Sequence, residues 1–160
     1  MNRNELLEEM RTTRVISGNN GNGFIDISNA TTPVLDGLTT LLAAKAKEVG
    51  KVDCFFGQPE YPYLSKRVSM FWNNAMVYYP EMGLDFPASL SANKDSNIVV
   101  LKDLIDTPDV KEAVDFSKCI NKVGGPSHRV SVLAPFDLRR KPYDPGIDVL
   151  TIFPRKDLFF

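Results

Sequence analysis

Apolar and polar positions alternate with different periods along this chain, and each change of period marks an element. Leu6, Leu7 and Met10 share one side of an otherwise polar opening, which predicts a short N-terminal helix that Asn2 or Asn4 can cap. TRVIS then reads as a short β-branched strand. GNNGNG (18–23) follows, and FIDIS (24–28) resumes in extended form, so the glycines and asparagines predict a hairpin or wide loop.

From Thr32 the period becomes helical. Thr32 supplies a capping oxygen and Pro33 stands where its missing N–H costs nothing. Val34, Leu35, Leu38, Leu41, Leu42 and Val49 then fall within a sector of about 120°, with Asp36, Thr40 and Lys47 opposite. Gly50 ends the helix and KVDCFFG follows as a strand.

The same grammar returns in the second half. NIVVLKDLI reads as a strand, Thr107 caps, and Pro108 opens a helix whose apolar face is Val110, Ala113, Val114, Phe116, Ile120 and Val123. Gly124 and Gly125 stop it before the strand HRVSVLAPF. Each half continues with a Pro/Tyr loop holding paired basic residues, QPEYPYLSKR and DLRRKPYDPG, and then two strands: VSMFW with AMVYYP, and IDVLTIF with DLFF. The order suggests a tandem pseudo-duplicated β-α-β-β-β unit, with halves 14–80 and 97–160 inside one compact domain, 1–160. The expected fold class is α/β (mixed α+β). A mixed sheet would carry two main helices and the short N-terminal one, and closing hairpins would add antiparallel strands.

Composition narrows the function. The 160 residues are 43% hydrophobic and 24% charged, enough to bury a core without disulfides or a metal. A formal net charge of −1 argues against a general nucleic-acid binder. The charge is uneven, however: from Lys122 onward there are seven basic against four acidic residues. No apolar run approaches the roughly 20 residues of a membrane span, and MNRNELLEEM lacks the apolar region of a signal peptide. The expected location is therefore the cytoplasm, or a host cytoplasm or virion if the protein is viral.

Few residues suggest chemistry. His128 is the only histidine, and Cys54 and Cys119 lie far apart in apolar segments, where they read as reduced core thiols. This pattern predicts neither a zinc site nor a cofactor. His128, after a Gly-Gly-Pro turn, reads first as a solvated loop residue. GNNGNG leads into a strand and not into a helix carrying Lys-Ser/Thr, so it does not read as a phosphate loop. Asp26, Asp53 and Asp148 each interrupt an apolar strand. They would bind Mg²⁺ only if their faces converged, and they read first as outward positions of half-exposed strands. No nucleophile elbow is present.

Aromatic clustering is more specific. Nine of the sixteen aromatic residues lie between Phe55 and Phe86. Neighbours on a strand point to opposite faces, so Phe55-Phe56, Phe71-Trp72 and Tyr78-Tyr79 each require cover on both sides, by helices, by the other half of the chain or by another subunit. The sequence is thus read as a non-enzymatic subunit of a homo-oligomeric assembly, of the viral or phage structural kind. Phe71, Trp72, Tyr78, Tyr79, Phe159 and Phe160 are its expected interface. The alternative is a binding module for a nucleotide or other phosphorylated small ligand. Lys66, Arg67, Arg139, Arg140 and His128 would meet the anion there, and Tyr61, Tyr63 or Tyr143 would stack.

Overall fold

A computed structural model describes residues 1–19, 21–57, 64, 67–68, 76–78, 95–121, 127–142 and 146–159, with the side chains of 76–78 and 119 excepted. Helix α1 (Arg3–Thr12) opens on a capping box. Asn2 Oδ1 accepts from the Glu5 N–H at 2.9 Å, and a Glu5 carboxylate oxygen accepts from the Asn2 N–H at 2.7 Å. Strands β1 (Ile16–Ser17) and β2 (Phe24–Ile25) form an antiparallel hairpin as expected, but FIDIS is extended only over Phe24–Ile25, and Ile27–Asn29 turn into a 3-10 helix capped by Asp26. Helix α2 (Thr32–Ala46) starts after Thr31, one residue earlier than expected, and no threonine side chain supplies the expected capping bond there; the helix runs through a 3-10 turn to Gly50. With φ at 86°, that position suits glycine.

The main sheet contains β3 (Cys54–Phe56), β4 (Met76–Tyr78), β5 (Ser96–Leu101), β6 (Leu104–Ile105), β7 (His128–Asp137) and β8 (Asp148–Pro154). All of its described pairings are parallel. Both β5 and β8 pair with Ser131–Leu133, so they occupy opposite edges of β7. Likewise β6 and β8 both pair with Phe136 and Asp137, which puts β6 on the β5 side. The segment read as one strand, NIVVLKDLI, is therefore one strand position interrupted at Lys102-Asp103. Lys102 N–H still reaches Leu133 O across the break, at 3.0 Å. Five strand positions result, in the order β4, β3, β5/β6, β7, β8.

Helix α3 (Thr107–Ile120) links β6 to β7, and the short α4 (Arg155–Leu158) follows β8. The fold is mixed α/β, as expected, but the closing antiparallel hairpins are not found among the described residues. DLFF was expected to be a strand. Its Asp157-Leu158 instead belong to α4, which starts directly after Pro154, and Phe159 is buried beneath the Arg155 guanidinium. VSMFW was also expected to be extended, yet Val68, like Arg67, has helical backbone.

Alternation along the strands decides the packing. Phe55, Val99, Leu101 and Leu133 join the apolar side chains of α1 and α2 in one cluster. Cys54, Phe56, Ile98 and Val130 pack with Phe116 and Ile120 of α3, and Val132 and Ala134 with Val110 and Ala113. Phe55 is fully buried and Phe56 is 5% exposed. Adjacent rings on a strand do need cover on both faces, but for this pair one chain supplies both covers. The inference from Phe55-Phe56 to a second subunit is corrected on that ground.

Candidate functional site

Chain order against spatial order locates a crevice. From β3 the chain passes outward to β4 and then returns to the other side of β3 as β5. In an open parallel sheet, ligands bind outside the carboxyl ends of the strands where the order reverses in this way. The carboxyl end of β3 leads to Gly57, and that of β5 leads to Lys102 and Asp103. Tyr61 and Tyr63, in the Pro/Tyr loop that follows β3 in sequence, lie outside the described residues.

Asp103 is the distinctive group on this edge. It is 7% exposed, and burial pushes its carboxyl up from 3.8 to about 7, with Lys102 pulling the other way. A buried carboxylate poised near neutrality at the end of a central strand is the kind of group found at functional sites. It was missed in the sequence, where LKD reads as a polar interruption of a strand.

The rest of the edge is held by polar contacts. Asp106 caps α3, accepting from the Thr107 N–H at 2.8 Å, while Asp109 accepts from the Asp106 N–H at 2.8 Å. Next to it, the Leu138 N–H donates to Ile105 O at 2.8 Å. Arg155 Nη1 donates to Leu138 O at 3.1 Å. At the end of β7, Arg139 wraps Asp137 with three bonds. Its backbone N–H and Nε donate to Oδ1 at 3.0 Å each, and Nη2 donates to Oδ2 at 2.8 Å. Both side chains are 7% exposed.

The predicted site residues separate accordingly. Arg139 is committed to Asp137, whereas Arg140 is exposed on the same turn. Arg67 forms an ion pair with Asp36 of α2. Phe159 is 3% exposed, inside the chain's own core. Tyr78 has its backbone in β4. Lys66, Phe71, Trp72, Tyr79, Tyr143 and Phe160 lie outside the described residues, as do Tyr61 and Tyr63.

His128 stands at the opposite edge, at the amino end of β7, and is 4% exposed where a solvated residue was expected. Its Nδ1 lies 2.6 Å from Ser96 Oγ, and Asn121 at the end of α3 brackets its backbone. Two clefts of about 410 and 390 Å³ open beside it and share Arg129. Arg129 is paired with Asp148, and Lys51 stands 3.9 Å from Asp53. Asp53 also accepts from the Asn97 N–H, and Asp26 from the Ser28 N–H. The three aspartates thus have separate local partners, and no group able to hold a metal ion occurs among the described residues. With its cations already neutralised, this edge is the weaker candidate.

No family model matches the chain, and neither does any curated protein sequence. Solved structures do. UMP synthase from Leishmania donovani superposes with a TM-score of 0.63 at 16% identity, over 96% of this chain and 36% of that one. The present chain therefore spans about a third of that protein. Orotate phosphoribosyltransferase from Aeropyrum pernix gives 0.62 at 12% identity, over 96% and 95% of the two chains. The enzyme from Mycobacterium tuberculosis H37Rv, in complex with inorganic phosphate, gives 0.61 at 14%, over 96% and 88%. The shared feature is the fold. It overturns the reading as a non-enzymatic subunit and virion component, because the architecture that this chain matches from end to end is one used by enzymes. Missing sequence motifs do not exclude catalysis, because ligand sites of open parallel sheets are assembled from strand ends far apart in sequence. Among the described residues, no helix is long and apolar enough to cross a membrane.

Proposed function

We propose that the protein is an enzyme of the phosphoribosyl-transfer type, acting on a phosphorylated ribose at the carboxyl edge of its parallel sheet. The observation that carries this reading is the end-to-end match to two orotate phosphoribosyltransferases, covering 95% and 88% of their chains. Asp103 supports it. A carboxylate at a strand end suits the hydroxyls of a ribose, whose O–H groups donate to it and favour its ionised form. In the transfer itself, an acceptor nitrogen would attack C1 of the sugar as the bond from C1 to its leaving group breaks. The substrate-assembling contacts would come from the strand ends at β3, β5 and β7. The alternative of a nucleotide or phosphorylated-ligand binder is contained within this proposal. A cytoplasmic location is proposed with it.

The test is direct. The protein is incubated with a ribose 5-phosphate activated at C1 and a panel of nucleobases, orotate included, and products are read by mass spectrometry. Nucleotide formation that is lost in Asp103→Asn is the expected result. No nucleotide from any base, together with no thermal stabilisation by ribose 5-phosphate, would overturn the reading.

Self-association is proposed as a separate property. Among the described residues β8 pairs only with β7, and its Val149, Leu150 and Ile152 are half-buried at a sheet edge, the kind of place where copies join. Sedimentation over a range of concentrations tests it, and a monomer throughout would end it.

A further inference from the structure

Three separate parts of the chain meet around the four-residue helix α4. The helix starts after Pro154, which pairs with Asp137 at the carboxyl end of β7, so it lies on the edge where ligand is proposed to enter. Its first residue, Arg155, reaches in two directions. On one side Nη1 donates to Leu138 O at 3.1 Å, and the Leu138 N–H donates to Ile105 O at 2.8 Å. Ile105 ends β6, the short strand that follows Asp103. On the other side the guanidinium lies over the Phe159 ring, 5.1 Å from its centre. That ring receives the β1–β2 hairpin. A Cβ on Gly23 would fall 2.2 Å from it, so backbone meets ring there with no room for a side chain. The hairpin is rooted by the buried Val15 and Ile16, whereas Gly18, Asn19 and Phe24 toward its tip are exposed.

We infer that Arg155 is a positioning residue that couples the seating of the hairpin on Phe159 to the placement of the turn after β7, and through it to the strand end beside Asp103. The inference rests on the reading that ligand enters at the carboxyl edge. Its physical basis is the shape of the guanidinium. The group is planar and its donors lie in the plane, so a shift of the ring beneath it changes the aim of Nη1 at Leu138 O. A lysine would keep the charge and a donor but lose the plane, and could bond the carbonyl without sensing the ring. Helix α4 is itself anchored to α1, because Arg3 pairs with the Asp157 carboxylate and Arg11 donates to Asp157 O at 3.1 Å. The coupling therefore runs through the side chain of Arg155 and not through movement of the helix. It is also reciprocal: whatever fixes the turn must steady the hairpin by the same factor.

Amide hydrogen exchange on the full chain tests this, with one reporter at each end. The Leu138 N–H reports the turn, and the Asp26 N–H, bonded to Val15 O at 2.8 Å, reports the hairpin. Gly23→Ala, which unseats the hairpin, should speed exchange at Leu138 about five-fold although it touches neither Leu138 nor Arg155. Arg155→Gln should speed exchange at Leu138 about ten-fold, and at Asp26 as well. Arg155→Lys should keep Leu138 near its original rate but abolish its response to Gly23→Ala, an effect that a merely structural arginine would not produce. Ribose 5-phosphate should slow exchange at Asp26 in the unaltered protein and leave it unchanged in Arg155→Lys. If Gly23→Ala does not fold, Phe159→Leu takes its place, removing the ring while keeping an apolar side chain. A Leu138 amide that ignores the hairpin variant, or that responds equally with arginine and lysine at position 155, would overturn the inference. The comparison is made on the free protein, so the coupling can fail while nucleotide formation is observed, and stand while none is.

Discussion

Replacing Asp103 by asparagine should stabilise the protein, and increasingly so as pH rises. The side chain is 7% exposed, and burial raises its carboxyl from 3.8 to about 7. Between those values the folded state keeps a proton that the unfolded chain has lost. Folding therefore takes up a proton in this window, and stability falls with rising pH at about 1.4 kcal/mol per pH unit. The contribution is undiminished below pH 3.8 and fully lost above about pH 7. The whole interval corresponds to about 4 kcal/mol, of which the part between pH 5 and pH 8 is about 3 kcal/mol. Asparagine has nearly the same shape and no charge to desolvate, so it abolishes the dependence without opening a cavity. The assay is urea unfolding of both proteins at several pH values, with the midpoint and slope fitted at each. The stability gap in favour of Asp103→Asn should widen by up to about 3 kcal/mol from pH 5 to pH 8. A gap that stays constant would mean that Asp103 is ionised in the folded protein throughout, and the argument from its burial would fail. A destabilising charge retained at the crevice would itself be the mark of a functional group, stability being given up where a ligand is to bind.

Other perturbations test the packing. A Cβ at Gly23 would overlap the Phe159 ring, so Gly23→Ala should cost about 1–3 kcal/mol, seen as a lowered Tm; no change would mean that the hairpin does not seat on Phe159. Ser131 is fully buried beneath α2, and its Oγ has no hydrogen-bond partner among the described residues. Ser131→Ala should thus be neutral or stabilising by about 1 kcal/mol in denaturant unfolding, and a clear loss would reveal a partner for the hydroxyl. Burial, assisted by Asp53, pushes the Cys54 thiol up to about 12. At pH 8 only about one thiol in ten thousand is thiolate, so a thiol reagent applied to a Cys119→Ser background should modify Cys54 only as fast as the protein unfolds. Rapid modification under native conditions would refute its burial.

The elements that were legible in sequence owe their form to local rules. Both main helices were found from Thr-Pro openings and a helical apolar period, and their starts agree within a residue with α2 and α3. Asp106 makes the cap expected of Thr107, however, and the α-helices end at Ala46 and Ile120, three residues before the expected Val49 and Val123. The hairpin at GNNGNG and the strands holding Cys54–Phe56 and His128–Asp137 were also recovered. Failures came where tertiary context outweighed the pattern. DLFF alternates no worse than a strand, yet it follows Pro154 at a sheet end where Arg3 and Arg11 of α1 bond to Asp157, and the chain curls into α4 there. The Lys102-Asp103 break is invisible to a period-2 reading, since the strand resumes on the same edge of β7.

The site was less legible than the fold because its residues share a sheet edge and not a stretch of chain. Asp103 and Asp137 come to one edge of the sheet only through the parallel order of β5, β6 and β7, an arrangement no spacing rule encodes. Counting paired basic residues found the turn after β7 but assigned the same role to Arg139 and Arg140. Burial separates them: an arginine whose donors are satisfied by a neighbouring carboxylate organises backbone, whereas an exposed one beside it remains available for a ligand. The same consideration corrects the aromatic argument. Phe55 and Phe56 required shelter on two sides, and the inference to a second subunit failed because α2 and α3 lie on opposite faces of one sheet. In a doubly covered parallel sheet, apolar excess along a strand therefore reports the layers of the monomer. What distinguishes function is the rarer event of a charge retained at a strand end, and on this reasoning Asp103 should have weighed more in the sequence than all nine clustered rings.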